Sequence, residues 1–371
     1  YGKRCGGGFG RVGRHHRPRR LRPAGDQRHD PDGEIRPGAS GTLFRHLPGN
    51  APENKVYNEQ MDEHFEKRGL NAHGLMEHLG RRKRYFISDE ENTITMCMNA
   101  IDNCVEEHKL SLAGYEMLIV CTDTPEYLFP SNAMRITGLY GERMKNIKVA
   151  FDLNSNCTGM IQGLDVVYKY MQASDIKKAL VVGCFCITPI ALWSDTVVYA
   201  TFGDAAACVA LTSEEATVKK GFLDTFVSVN ASYHDYIKYP KCGMAKVPLQ
   251  AVMPNEKRLE WNPFPMDFIP EQWTNSINEL LHRNSLKADD IDYYIFSQLS
   301  DVYNMETLRL LGLSEDDNKY FFVGKEYGYT GNTCPILCLN RLWDRYSVKG
   351  TKIIICTVGA GYSIITQLYE F

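Results

Sequence analysis

The sequence predicts an α/β fold, and two observations carry that prediction. Short apolar runs of strand length alternate with runs of helical periodicity through both halves of the chain. One such unit is sharply drawn around Cys157. Lys148-Val149-Ala150-Phe151-Asp152-Leu153 reads as a buried strand, Asn154, Ser155 and Asn156 as a polar turn, and Cys157, Thr158 and Gly159 follow. After them Ile161, Leu164, Val167 or Tyr168, and Met171 recur on one helix face.

The remaining elements are read in the same way. Helices are expected over 58–80, 92–109 and 130–139, the second turning Ile94, Met96, Ala100, Ile101 and Val105 inward. Met117–Cys121, Ala179–Gly183 and Thr201–Leu211 read as strands of the first half. Gly221–Val229 opens the second half, and 232–268 is an irregular insertion rich in aromatic residues. A helix over 270–286, a strand at Ile291–Phe296, helices at Asn304–Leu313 and Asn332–Tyr346, and strands at Thr351–Thr357 and Tyr362–Tyr369 complete the pattern. Gly159 and Gly163, one turn apart, suggest that another backbone passes close to the helix.

Residues 1–44 are expected to be a disordered Arg/Gly-rich leader. The first 40 residues hold nine arginines and nine glycines with very few aliphatic side chains, too little apolar surface to offset chain entropy. A nucleic-acid-binding arm, an unstructured tail and a leader foreign to the body are the alternatives. The first 50 residues carry 11 Lys+Arg against four Asp+Glu, leaving 31 against 41 in the rest, a net charge of −10. An acidic body argues against a nucleic-acid surface. No apolar run approaches the ~20 residues of a membrane span, and no apolar core segment marks a secretory signal. The 12 cysteines are scattered through apolar stretches, which favours reduced thiols in a cytoplasmic protein. No CxxC pair, His/Cys cluster or HExxH spacing offers a metal site.

Cysteine placed between a strand end and a helix start meets unpaired N–H groups and the positive end of the helix dipole. Both favour thiolate and make a nucleophile. The alternative is an inert buried thiol.

The words around Cys157 bear on that choice. Residues 151–171, then Lys177–Cys184, then Phe202-Gly203-Asp204-Ala205-Ala206 resemble the nucleophile region of the thiolase superfamily, and within it the β-ketoacyl-acyl-carrier-protein synthase III branch. Cys121-Thr122-Asp123-Thr124-Pro125 and Tyr127-Leu128-Phe129-Pro130-Ser131 resemble that family's dimer-interface loop, and Val358-Gly359-Ala360-Gly361-Tyr362 its C-terminal glycine turn. The resemblance runs over residues 45–371. It implies the thiolase fold, two similar halves (45–218 and 219–371) packed as a five-layered αβαβα sandwich. The strand expected before Leu47-Pro48-Gly49 is poorly written, so the opening strand is expected to be missing or distorted.

The resemblance also implies a site. Cys157 would be acylated by a thioester of coenzyme A or an acyl carrier protein. The family's histidine, in IDW-x-x-x-H-Q-A-N, falls on Ser297, with Gln298 beside it, and its asparagine falls on Tyr329 between Gly328 and Thr330. A shift of register would bring Asn332 there instead. The oxyanion hole would use the N–H of Cys157 and one from the turn near Gly361 and Tyr362. Phe129 would reach across a dimer into the partner's acyl pocket. Donor-binding Trp and Arg positions fall on Gly74, His78 and Thr196, leaving Arg82 and Arg84 of the 81–84 basic run as candidate phosphate contacts or as part of a solvated loop. His234 in the insertion reads as loop packing.

With neither His nor Asn, decarboxylative condensation lacks the two donors an enolate needs. Acyl transfer through Cys157 with no resident cofactor is therefore the expected activity. Ser297 and Tyr329 would be its polar supports, in a homodimer or a heterodimer with a synthase III-like subunit. A non-condensing partner subunit is the alternative.

Overall fold

The computed structural model describes residues 40–46, 49–52, 54–215, 219–263, 265–314 and 318–371. The Arg/Gly-rich segment up to residue 39 lies outside the described residues. Among the described residues, the path of the large sheet takes five strands from the first half: β1 (Ser40–His46), β2 (Met117–Cys121), β3 (Val149–Leu153), β4 (Lys178–Phe185) and β5 (Ala205–Glu215). Four come from the second: β6 (Gly221–Val229), β7 (Tyr293–Phe296), β8 (Lys352–Gly359) and β9 (Ser363–Glu370). The hydrogen-bonded path is β7-β8-β9-β6-β1-β5-β4-β2-β3.

That path is a duplication. In the first half β2 pairs in parallel with both β3 and β4, β4 is antiparallel to β5, and β5 to β1. In the second half β7 pairs in parallel with β8 and, through Tyr294, with Tyr320; β8 is antiparallel to β9, and β9 to β6. Counting the Tyr320 bridge as the third position of the second half, each half runs third-second-fourth-fifth-first. Along the sheet path a parallel pairing of Thr42 with Gly221 joins the two.

The opening strand is present. It starts at Ser40, inside the segment expected to be leader, and pairs with β5 along its length. A register shift between Phe44 and His46 is the only distortion.

Alternation along the strands defines the layers. Met117, Ile119 and Cys121 of β2 and Ile353 and Ile355 of β8 face a common core with α3 (Gly159–Ala173) and α6 (Cys334–Arg341). Leu118 and Val120 face outward onto α1 (Thr93–His108) and α2 (Asn132–Tyr140). Ile354, Cys356 and Val358 face outward onto α4 (Ile269–Arg283) and α5 (Asp301–Leu310). The order is helices, sheet, helices, sheet, helices. Strands covered on both faces must be apolar throughout, which is why β2 reads Met-Leu-Ile-Val-Cys.

α3 is the middle layer, and its apolar face explains its position. Ile161, Leu164 and Val167 are fully buried, each contributing about 1.5–3 kcal/mol. Gly163 is there for a side chain rather than for a passing backbone: a Cβ would lie 2.4 Å from the Cys121 sulfur.

The Gly203-Asp204 turn locks the first half. Asp204 is fully buried and accepts from the N–H groups of Ile187 (2.7 Å), Thr188 (3.0 Å) and Ile87 (3.0 Å), and from the Thr188 hydroxyl. Asp204→Ala leaves three backbone donors without their acceptor, at about 1–3 kcal/mol each. A lower urea-unfolding midpoint is expected, with a loss of about 3 kcal/mol or more. Asp204→Asn, which keeps one acceptor oxygen, should lose less.

Candidate active site

Cys157 sits in a 3₁₀ turn (Asn156–Thr158) between β3 and α3. Asn156 adopts φ +50°, a conformation asparagine tolerates, with its N–H on the Asn154 side chain at 3.0 Å. Its own side-chain amide donates to the Ala360 carbonyl at 3.1 Å. That bond ties the cysteine turn of the first half to the β8–β9 turn of the second. The helix therefore delivers Cys157 to the seam between the halves.

The cysteine opens onto a cavity of about 160 Å³. One end is polar, with Asp123, Asn154, Asn156, Cys157 and the 359–361 turn. The remainder is aromatic and aliphatic, and much of it comes from the insertion. Ile237–Lys238 and Glu260–Trp261 form a short antiparallel pair that brings Trp261 edge-on to Phe202, with ring centroids 5.2 Å apart. Phe268 stands edge-on to Tyr362 at 4.9 Å. The insertion is thus a built wall rather than an irregular excursion. His234, at its start, is exposed.

Tyr329 is the one residue standing for the family's missing pair that reaches the cavity. Gly328, at φ +72°, lets the chain enter where a Cβ would lie 3.1 Å from the Thr201 carbonyl. Tyr329 N–H then donates to Thr201 O, and Gly203 N–H donates to Tyr329 O, each at 3.0 Å. Held on both sides, the buried Tyr329 lines the cavity together with Cys157, and its hydroxyl favours the charged form of the thiol. The N–H groups of Ala360 and of Cys157 itself act in the same sense.

Despite these donors the thiol is not activated in the way its helix position predicts. Burial pushes Cys157 up to about 12, and the neighbouring Asp123 charge adds to the rise, against the Tyr329 hydroxyl and the two N–H groups. Desolvation outweighs the helix end. Burial also pushes Asp123 up, to about 6. Tyr329 is pushed well above the usual phenol range, first by burial and then by Cys157. No arginine, lysine or histidine lines the cavity among the described residues.

Several expected site residues are placed elsewhere. Ser297 is fully buried and accepts the Val358 N–H at 3.1 Å; it is not part of the cavity wall. Gln298 is a strut, accepting from Val323 N–H at 2.7 Å and donating to Phe296 O at 2.9 Å. Asn332 is also buried, its amide donating to the carbonyls of Cys121 and Cys184 at 3.3 Å each, beneath the cysteine turn and off the wall. Gly361 and Tyr362 line the cavity, but the Tyr362 N–H is taken by Asn230 O at 3.0 Å. The available second donor is Ala360, one residue before the expected pair.

The donor-binding expectation fails at Arg84. It is fully buried, donating to Asn58 at 2.6 Å and to the Met76 sulfur at 3.4 Å, and cannot meet a phosphate. Arg82 is exposed and outside the cavity wall. Phe129 is 85% exposed on its loop, beside exposed Tyr127 and Leu128. Among the described residues no group of three or more His, Cys, Asp or Glu is placed to hold a metal, and no helix is long and apolar enough to cross a membrane.

Comparison with known proteins places the fold among described families. The profile of 3-oxoacyl-[acyl-carrier-protein (ACP)] synthase III matches residues 151–231, and that of its C-terminal part matches residues 281–371. β-Ketoacyl-[acyl-carrier-protein] synthase III of Rickettsia rickettsii is 24% identical over 315 residues, 84% of this chain and 94% of that protein. The Coxiella burnetii protein of the same name is 27% identical over 292 residues, 77% and 86% of the two. The chain is thus similar to synthase III proteins over both matched segments and over most of its length. Solved structures share its fold. The Aquifex aeolicus 3-oxoacyl-[acyl-carrier-protein] synthase III superposes with TM-score 0.76 at 20% identity, covering 89% of this chain and all of that one. The priming β-ketosynthase of the R1128 polyketide pathway gives 0.76 at 18% identity, covering 89% and 96%.

Sequence reasoning missed Asp123, which it read only as part of an interface loop. The signal was a carboxylate set directly after the fully apolar β2. It also missed Asn156 and Ala360, whose roles are made by chain elements far apart in sequence.

Because the thiol lies high, Cys157 alkylation by iodoacetamide is expected to keep accelerating above pH 9 instead of reaching a plateau near neutrality. Tyr329→Phe removes a hydrogen bond to the charged form, and about tenfold slower alkylation at fixed pH should follow.

Proposed function

We propose that this chain is an acyltransferase that forms an acyl thioester on Cys157 from acyl-coenzyme A or an acyl carrier protein. The observation that carries the reading is the placement of Cys157, on the turn between β3 and α3, at the polar end of an apolar cavity beside Tyr329 and the 359–361 turn. Sulfur attacks the thioester carbon, the bond to the carrier sulfur breaks, and the thiol proton ends on the departing thiolate. The carbonyl oxygen becomes an oxyanion as it does so, and the N–H groups of Cys157 and Ala360 are suited to receive it.

The cavity size supports a small acyl group. About 150 Å³ holds one benzene-sized ligand, and this wall is rich in rings. Short, branched or single-ring acyl groups are favoured over long chains.

Decarboxylative condensation is disfavoured. Neither Ser297 nor Asn332 lines the cavity, and the Asn332 amide donates to two backbone carbonyls beneath it, so the pair of donors a developing enolate needs does not face the cavity. The same burial favours, as a second reading, a non-condensing subunit paired with a synthase III-like partner. The exposed Tyr127-Leu128-Phe129 loop supports an interface in either reading, in a homodimer or a heterodimer. The free state of every described cysteine fits a reducing, cytoplasmic setting, with an acyl carrier protein as the soluble donor.

Intact-protein mass spectrometry after incubation with acetyl, isobutyryl, benzoyl and dodecanoyl thioesters tests the reading. Adducts with the first three, absent in Cys157→Ala, are expected. No adduct from any donor, with Cys157 still open to iodoacetamide, would favour the partner-subunit reading instead.

A further inference from the structure

Asp123 lies two residues beyond the end of β2, and its neighbours are clamped. Thr122 N–H donates to Leu153 O at 3.1 Å, Cys186 N–H donates to the Thr124 hydroxyl at 3.0 Å, and the Thr93 hydroxyl donates to Thr124 O at 2.6 Å. With the backbone fixed on both sides, Asp123 lines the cavity together with Cys157 and Tyr329. Its Oδ1 is buried and has no hydrogen-bond partner among the described residues. Contrast Asp204, which is just as apolar in its surroundings and has four donors. Buried polar groups are nearly always paired, and an unpaired one at a cavity wall is poised for a ligand. Apart from its own backbone N–H, no group among the described residues engages the Asp123 carboxyl.

We propose that Asp123 is a catalytic acid–base residue, carrying a proton between the Cys157 sulfur and the nucleophile of an acceptor that bears a hydroxyl or amine. This rests on the acyl-enzyme reading above and goes beyond it by naming the base and the acceptor class. In the first half-reaction the Asp123 carboxylate takes the Cys157 proton as sulfur bonds to the acyl carbon. The carbon–sulfur bond to the donor breaks, and the donor thiolate receives that proton from Asp123. In the second half the acceptor's O–H or N–H proton passes to Asp123 as oxygen or nitrogen bonds to the acyl carbon. The bond to the Cys157 sulfur breaks, and the proton returns to that sulfur. The acyl group has moved from a thiol to oxygen or nitrogen, and the carboxylate is restored.

The ionisation states suit this cycle. At about 6, Asp123 is mostly ionised at pH 7 and still returns a proton readily. The titratable groups facing it are Cys157 and Tyr329, both pushed up by burial and neutral at that pH. An isolated carboxylate also selects the acceptor. A malonyl thioester brings its own carboxylate and then an enolate, and like charges repel strongly in a dry cavity. A neutral alcohol or amine brings a proton that must be removed, which is what a carboxylate base supplies.

The test separates the two half-reactions. Wild type and Asp123→Asn are acylated with benzoyl-pantetheine, freed of excess thioester, and chased with ethanolamine or benzyl alcohol from pH 5 to 8 while intact mass is followed. Wild-type discharge to these acceptors is expected to rise through an inflection near pH 6. D123N is expected to discharge about 100-fold or more slowly, without the inflection. The raised Asp123 value means the group stabilises the fold at low pH and ceases to as pH climbs past about 6, so D123N should melt no lower than wild type at pH 7.5. Folding loss therefore does not mimic the expected result. Equal rates and profiles in D123N would overturn the role of Asp123. Discharge by malonyl-pantetheine with release of CO₂, or to water alone, would overturn the acceptor class. A wild type that takes no acyl group defeats the acyl-enzyme reading itself and this assignment with it.

Discussion

Room in the middle layer is the constraint on which the rest of this molecule depends. α3 lies between two sheets and crosses β2 so closely that a single added carbon at Gly163 would lie 2.4 Å from the Cys121 sulfur. Such interiors are packed like crystals, and the helix cannot be moved aside. Its N-terminus is consequently fixed against both sheets, and the turn before it is fixed with it. Asn156 then needs only one hydrogen bond to Ala360 to bring the second half's glycine turn over the cysteine. The cysteine and the glycine turn that meet at the cavity are placed by that geometry.

The electrostatics of the resulting site differ from those of an activated thiolate. Dryness raises the thiol, the carboxyl and the phenol together, and among the described residues no cation lines the wall to offset any of them. A site of this kind keeps its groups neutral or singly negative and works by moving protons over short distances. Helix-end stabilisation is worth up to about 2 kcal/mol in favourable geometries. Desolvation of a fully enclosed group shifts its ionisation by several pH units. The larger effect prevails.

The scaffold was legible in sequence because its signals are local. Continuous apolar runs, helical periodicity and the Gly203-Asp204 turn each announce themselves within a dozen residues, and the strand–cysteine–helix unit appears where it was read. β1 was not legible, since its strand character comes from pairing with β5 instead of from its own residues. At the site, Tyr329 was found by its flanking Gly328 and Thr330. Ser297 occupies the expected chain position, yet its hydroxyl is used by the Val358 amide one strand away. Whether a side chain faces a cavity or a neighbouring backbone is decided by the partner strand. Asp123 illustrates the reverse: its solitude is a property of what surrounds it, and no pattern in its own segment reports an absent donor.

The insertion between β6 and α4 has an evolutionary consequence. The double sheet, the cysteine turn and the glycine turn share side chains with one another, so a change in any of them disturbs the rest. The wall formed by Ile237, Leu259, Trp261, Met266 and Phe268 belongs instead to one surface excursion laid over the rigid body, joined to it at Ile190 and through a few ring contacts. Selection can therefore reshape the cavity by exchanging this excursion as a cassette, diversifying what the cavity accepts while the inherited scaffold stays unaltered.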